Sequence, residues 1–126
     1  MIIDIKFEEN EQIVPYLGSR KITMDESPFL IFLATAGMCS AVYVKAFCHQ
    51  REIPLDYINI TQFMQYDPKL NLVTEINIKL DLNERFPEKY EAALKNVVAL
   101  CPIKKHLDTP PQFNVSTDIK TEAVKE

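Results

Sequence analysis

Hydrophobic positions repeat with two periods along the chain, and the switches between them outline its elements. Residues 1–8 alternate, Ile3, Ile5 and Phe7 against Asp4, Lys6 and Glu8, which is the two-residue repeat of a half-buried strand. A turn at Glu9-Asn10-Glu11 follows, then two short apolar pieces, 13–16 and 21–24, separated by Leu17-Gly18-Ser19. The three pieces predict a small meander, with Pro15 pointing to an edge position for the second. Residues 27–48 (SPFLIFLATAGMCSAVYVKAFC) carry no charge before Lys45 and are apolar nearly all the way round. Ser27 suits a helix N-cap, Pro28 the first helical position, and Asp25 and Glu26 the positive end of the dipole. A helix is therefore predicted from residue 28 to about 51, closed by Glu52-Ile53-Pro54.

Residues 57–66 and 72–82 read as hairpin arms joined by Asp67-Pro68-Lys69-Leu70-Asn71. The second arm sets Leu72, Thr74, Ile76, Ile78, Leu80 and Leu82 against Glu75, Asn77, Lys79 and Asp81, so one face is covered and one is wet. Phe86-Pro87-Glu88 opens a second helix whose stripe is Tyr90, Leu94, Val97 and Cys101. Pro102 interrupts it, and residues 103–107 add another turn or two. Phe113, Val115, Thr117 and Ile119 alternate as a last strand, and residues 120–126 read as a frayed tail. No linker or repeat divides the chain. The expectation is one α+β domain over residues 1–126, in the order βββ-α-ββ-α-β.

The first helix has more apolar surface than this much sheet can cover. On a helical wheel Leu30, Ala34, Gly37, Ala41, Val44 and Cys48 form one face. Phe32, Thr35, Ala36, Cys39, Val42, Tyr43 and Ala46 lie on the other side. The sheet and second helix cover about two sides, and a twofold partner subunit is the economical cover for the rest. The uncharged core is at the short edge of the roughly 20 residues a membrane span needs. Thr35, Gly37 and Ser40 interrupt it, and charge-balanced strand segments flank it, so a span is not expected.

Hydrophobic residues make up 47% of the chain and charged residues 25%, an ordinary globular balance. With a net charge of -4 and no long basic run, a nucleic-acid surface is not expected. Met1-Ile2-Ile3-Asp4 lacks the basic start of a secretory signal, which points to the cytoplasm, where cysteines stay reduced unless they do redox work.

Three cysteines then carry the chemistry. Cys39 and Cys48 point to opposite sides of the first helix, roughly 13 Å apart along its axis. A disulfide tolerates at most about 7 Å between Cα atoms, so they cannot bond within one helix. Cys101 can meet Cys39 if the two helices pack, leaving Cys48 as a small buried hydrophobe. Pro102 would make Cys101 the N-cap of a new turn, and with Lys104 and Lys105 nearby this favours thiolate, whereas the apolar setting of Cys39 opposes it. Two inert core cysteines is the competing reading. His49 and His106 have no clustered ligand partners, so no metal is expected. Two glycines leave no phosphate loop, and no cofactor is implied.

The proline-led helix PFLIFLATAGMCSA, with eleven residues from Pro28 to Cys39, the second motif ALCPIKKHL, and the order of elements around them resemble the OsmC/Ohr superfamily. The resemblance covers roughly residues 1–119. It implies an intertwined homodimer in which two central helices are wrapped by sheets from both chains. It also implies thiol-dependent reduction of organic hydroperoxides, in which the Cys39 position attacks the peroxide oxygen, the Cys101 position resolves the sulfenic acid to a disulfide, and an external dithiol restores both. The family's peroxidases place a glutamate directly after the helix-starting proline, where it holds an arginine against the thiolate. Here that position is Phe29, and Arg20 is the only arginine before the helix. Two other functions stay open: a non-catalytic dimer that binds a small apolar ligand, with Phe29 as an apolar wall, and a stoichiometric redox switch.

Overall fold

A computed structural model describes residues 1–120; the tail expected at 120–126 lies, but for its first residue, outside them. The alternating segments form one antiparallel five-stranded sheet of order β3-β2-β1-β4-β5. Its strands are β1 (Ile2–Phe7), β2 (Ile13–Leu17), β3 (Arg20–Lys21), β4 (Ile58–Asp67) and β5 (Leu72–Leu82). Helix α1 (Pro28–Gln50) packs on its inner face, and α2 (Glu91–Val98) and α3 (Pro102–Asp108) pack on α1. The α+β class and the order of elements through the helices follow the sequence pattern.

Local signals explain where α1 begins and ends. Ser27 Oγ accepts the Leu30 N–H at 3.2 Å, and Pro28 takes the first helical position. At the other end Glu52 adopts a left-handed φ of 53°. The Glu52 N–H then reaches His49 O at 3.3 Å and the Ile53 N–H reaches Cys48 O at 2.9 Å, the paired bonds of a Schellman cap. Arg51 donates to Phe47 O at 3.2 Å and lies over the Phe47 ring at 3.7 Å and the Tyr90 ring at 5.4 Å, fastening this end of α1 to the approach to α2.

One of the two faces of α1 meets the sheet. Ala34, Gly37, Ala41, Val44 and Cys48 are buried against Ile3, Ile5, Ile58 and Ile60. Gly37 allows the closest approach. A Cβ there would sit 2.7 Å from Gln62 Oε1 and 2.8 Å from Ile5 Cγ1. Gln62 is fully buried, donates through Nε2 to Leu33 O at 2.8 Å, and leaves Oε1 without a partner beside the helix. Helix propensity alone would make Gly37→Ala stabilising by about 1 kcal/mol. Overpacking costs about 1–3 kcal/mol, and here both the Ile5 side chain and the Gln62 amide must move. The net expectation is a loss of about 1 kcal/mol and a melting temperature lower by roughly 3–6 °C. A rise in melting temperature would show that the sheet can yield.

Three expectations are corrected. The third meander piece is β3, only two residues long and earlier than residues 21–24; its flanking of Tyr16 and Leu17 places β2 one strand in from the edge. In β5 the register slips at Gln65/Tyr66, where Glu75 and Val73 are the successive partners and Thr74 is left over. This bulge reverses the alternation, so Val73 joins the covered face while Leu72 and Thr74 are exposed. As expected, Pro102 opens a separate helix, α3, with Cys101 as its N-cap. The last strand does not form: residues 109–120 have no regular structure, and Phe113 and Ile119 are 91% and 93% exposed. A strand exists only by pairing, and within the described chain nothing pairs with this segment or with the outer edge of β5.

Candidate functional site

Cys39 sits in the middle of α1, half-buried, on the side turned away from the sheet. Phe32, Thr35, Cys39, Val42 and Ala46 follow one another at alternating spacings of three and four, as in a coiled-coil seam. Within that stripe Phe32 and Val42 are exposed, Val42 at 53%. Phe29, where the family's acid would stand, is also exposed and stacks on Phe32.

The start of α3 meets α1 at Cys39. Cys101, the N-cap residue, is buried, and its thiol is near enough to the Cys39 thiol to affect it. The Ile103 backbone N–H, free because it lies in the first turn of α3, is near enough to Cys39 to favour its thiolate. The helix start therefore serves Cys39 across the contact. Cys48 lies on the opposite face, fully buried in the core, and burial pushes its thiol above the ordinary range against the pull of Arg51.

Burial is also the largest influence on Cys39 and pushes its thiol above its ordinary 9.0. The hydrogen bond with Cys101 and the charge of Cys101 push the same way, and only the Ile103 N–H opposes them. Thiolate is the reactive form. In the isolated chain, Cys39 alkylation by iodoacetamide therefore rises about tenfold per pH unit from pH 7 to 9. Cys48 stays unmodified until the protein unfolds. A rate already flat at pH 7 would mean that a cation from outside the single chain holds the thiolate.

Arg20 is not one of the groups acting on Cys39. It lies on β3, and its guanidinium is ion-paired with Glu26 just ahead of α1. From Pro28 to Cys39 the helix rises roughly 16 Å, so Arg20 stands near the far end of it. The family's acid position after Pro28 is Phe29 here; the acid that holds Arg20 is Glu26, which precedes the helix. Lys104 pairs with Asp108 at 2.8 Å, and His106 Nδ1 lies 2.7 Å from Pro102 O, so neither side chain turns back to Cys101.

A groove of about 470 Å³ opens beside Cys101 between β5, α2, α3 and the Ala36–Ser40 turn of α1. Its floor is aliphatic, and Lys79, Glu91, Lys95 and Lys104 stand around it. No spacing in the sequence marks this feature, because its walls come from four separate elements.

Among curated proteins none matches this sequence. The fold is similar to a crystal structure from Psychrobacter arcticus 273-4 of a protein assigned to the osmotic stress and detoxification response. The two share 15% identity over 82% of this chain and 85% of that one, with a TM-score of 0.49. A family model described as OsmC-like protein matches residues 24–116, a span that holds α1, both hairpin arms, and the Cys39 and Cys101 contact, and the chain belongs to the OsmC-like family.

Proposed function

We propose that this protein is a thiol-dependent peroxidase of organic hydroperoxides that acts in oxidative stress defence as a homodimer. The observation that carries the reading is the pairing of Cys39 with Cys101, two of three cysteines brought together from separate elements in an OsmC-like chain. Cys39 thiolate attacks the outer peroxide oxygen, the O–O bond breaks, and the alkoxide leaves as an alcohol after taking a proton. Cys39 is then a sulfenic acid. Cys101 thiolate attacks its sulfur, hydroxide leaves as water, and an external dithiol reduces the disulfide that results. Contact between the thiols removes the need for a large rearrangement between these steps. Arg20 is assigned the role of thiolate stabiliser, delivered from a second copy and oriented by Glu26.

The test is consumption of cumene hydroperoxide by reduced protein with a small dithiol, compared with hydrogen peroxide. Faster turnover of the organic peroxide is expected, since the walls near Cys101 are apolar. No turnover with lipoyl or other small dithiols would sink the reading.

Phe29 and the raised Cys39 thiol favour a second reading, a non-catalytic dimer that holds a small apolar ligand. Native mass spectrometry would then show ligand carried through purification. A stoichiometric redox switch would consume one peroxide per Cys39 and stop even with dithiol present.

A further inference from the structure

We propose that Gln62 is a positioning residue: its hydrogen bond to α1 fixes the rotation of that helix on the sheet and so aims Cys39 at Cys101. Ala34, Gly37 and Ala41 are the small buried residues through which the middle of α1 lies on the isoleucines of the sheet. Apolar contact is non-directional and leaves such a helix free to turn. Side chains add hydrogen bonds to the carbonyls of α1 around Cys39. Thr35 Oγ1 donates to Phe32 O at 2.5 Å, Ser40 Oγ to Ala36 O at 3.1 Å, and Gln62 Nε2 to Leu33 O at 2.8 Å. The first two are local to the helix. Of the three, only the Gln62 bond ties it to the sheet, from the middle of β4, and Gly37 leaves room for the amide. Lys45 reaches Glu11 O at 3.3 Å, but through a long flexible chain that can follow a turn of the helix.

Stability does not account for this residue. Gln62 is fully buried, and among the described residues its Oε1 has no hydrogen-bond partner. Without the amide, Leu33 O keeps the N–H of Gly37, four residues on in the helix. An unpartnered buried acceptor costs at least as much as one neutral hydrogen bond contributes, so an apolar side chain of the same shape is neutral or stabilising here. What the amide alone supplies is direction. A helix rotation of about 10–15° carries a sulfur roughly 5 Å from the axis through about 1 Å, and a misplacement of about 1 Å can slow a positioned reaction by up to about a hundredfold. The effect on turnover rests on the peroxidase reading; the alignment of the two thiols does not.

Gln62→Met, close in shape and without the donor, tests it in the full chain. Reduced protein is equilibrated with glutathione disulfide and glutathione, so that formation of the Cys39–Cys101 bond releases two glutathione thiols. Mass spectrometry after alkylation reads the bonded fraction. The equilibrium constant is expected to fall by about tenfold or more in Gln62→Met, while the melting temperature holds or rises. With one equivalent of cumene hydroperoxide, Cys39 is oxidised at the wild-type rate. The step to the disulfide then slows by about tenfold or more, and dimedone traps the sulfenic acid. Gly37→Ala, which displaces the same amide but lowers the melting temperature, reduces the constant likewise. Ile58→Val, a small loss from the core on the same strand, lowers the melting temperature and leaves the constant unchanged. The proposal is overturned if Gln62→Met does not fold or leaves the constant unchanged, or if the constant merely follows melting temperature across the three variants. A wild type that forms no Cys39–Cys101 bond overturns it as well. If the wild type consumes no hydroperoxide and Gln62→Met still shifts the constant, the peroxidase reading falls and the positioning stands.

Discussion

Cys39→Ser reduces organic hydroperoxide consumption to the uncatalysed background. A serine hydroxyl at this place has no neighbouring base to ionise it, and oxygen cannot carry the sulfenic acid on which the cycle depends. The change is nearly isosteric at a half-buried position, so folding is preserved and the loss reads out chemistry. Cys101→Ser separates the two halves of the cycle. Cys39 still attacks, one peroxide per chain is consumed quickly, and the sulfenic acid then persists long enough for dimedone to trap it. Cys48→Ala keeps full activity, because that thiol lies on the opposite face of α1 and in the core. Equal rates for the wild type and Cys39→Ser would remove the peroxidase reading, and a Cys101→Ser variant that turns over normally would remove only the resolving role.

The parts of this fold legible in the sequence are those fixed by neighbouring residues. Ser27 and Pro28 set the start of α1, and Glu52 and Pro54 sit where it stops. The hairpin arms reveal their ends because Asp67 and Asn71 are turn formers; Asp67 accepts the Lys69 and Leu70 N–H groups. The meeting of Cys39 and Cys101 was open to argument because both lie on faces that had to be buried. What could not be read depends on partners distant in the chain. The bulge at Thr74 is set by pairing with Gln65 and Tyr66, and the pattern of β5 alone runs smoothly through it. Phe113 to Ile119 alternate as a strand should, yet alternation supplies no edge to pair with. Arg20 and Glu26 are six residues apart, but only the turn between β3 and α1 brings them together. The groove has no local signature for the same reason.

Val42→Asp converts the proposed dimer to monomer. Val42 stands one turn after Cys39 on the outer stripe of α1 and is 53% exposed in the single chain, with exposed Phe32 on the same stripe. Isolated apolar residues on a surface are ordinary, but a stripe at heptad spacing along a 23-residue helix is the form a helix–helix interface takes. On a twofold interface the substitution enters twice, so two carboxylates would be buried near each other without a cation. The penalty is several kcal/mol per ion, on the order of a thousandfold or more in the dimer dissociation constant. Light scattering behind a sizing column reads the change, and Glu75→Lys on the wet face of β5 serves as a control that should leave the dimer intact. A wild type that is monomeric at every concentration, or a Val42→Asp protein that remains dimeric, would place the second copy elsewhere or remove it. The same variant examines Arg20. Within one chain Arg20 is held by Glu26 away from Cys39, and the thiol is raised by burial. The Val42→Asp monomer should therefore show the alkaline alkylation profile of the isolated chain. If the second copy delivers Arg20, the wild-type dimer titrates at lower pH, and Arg20→Ala in the dimer returns it to the monomer's profile.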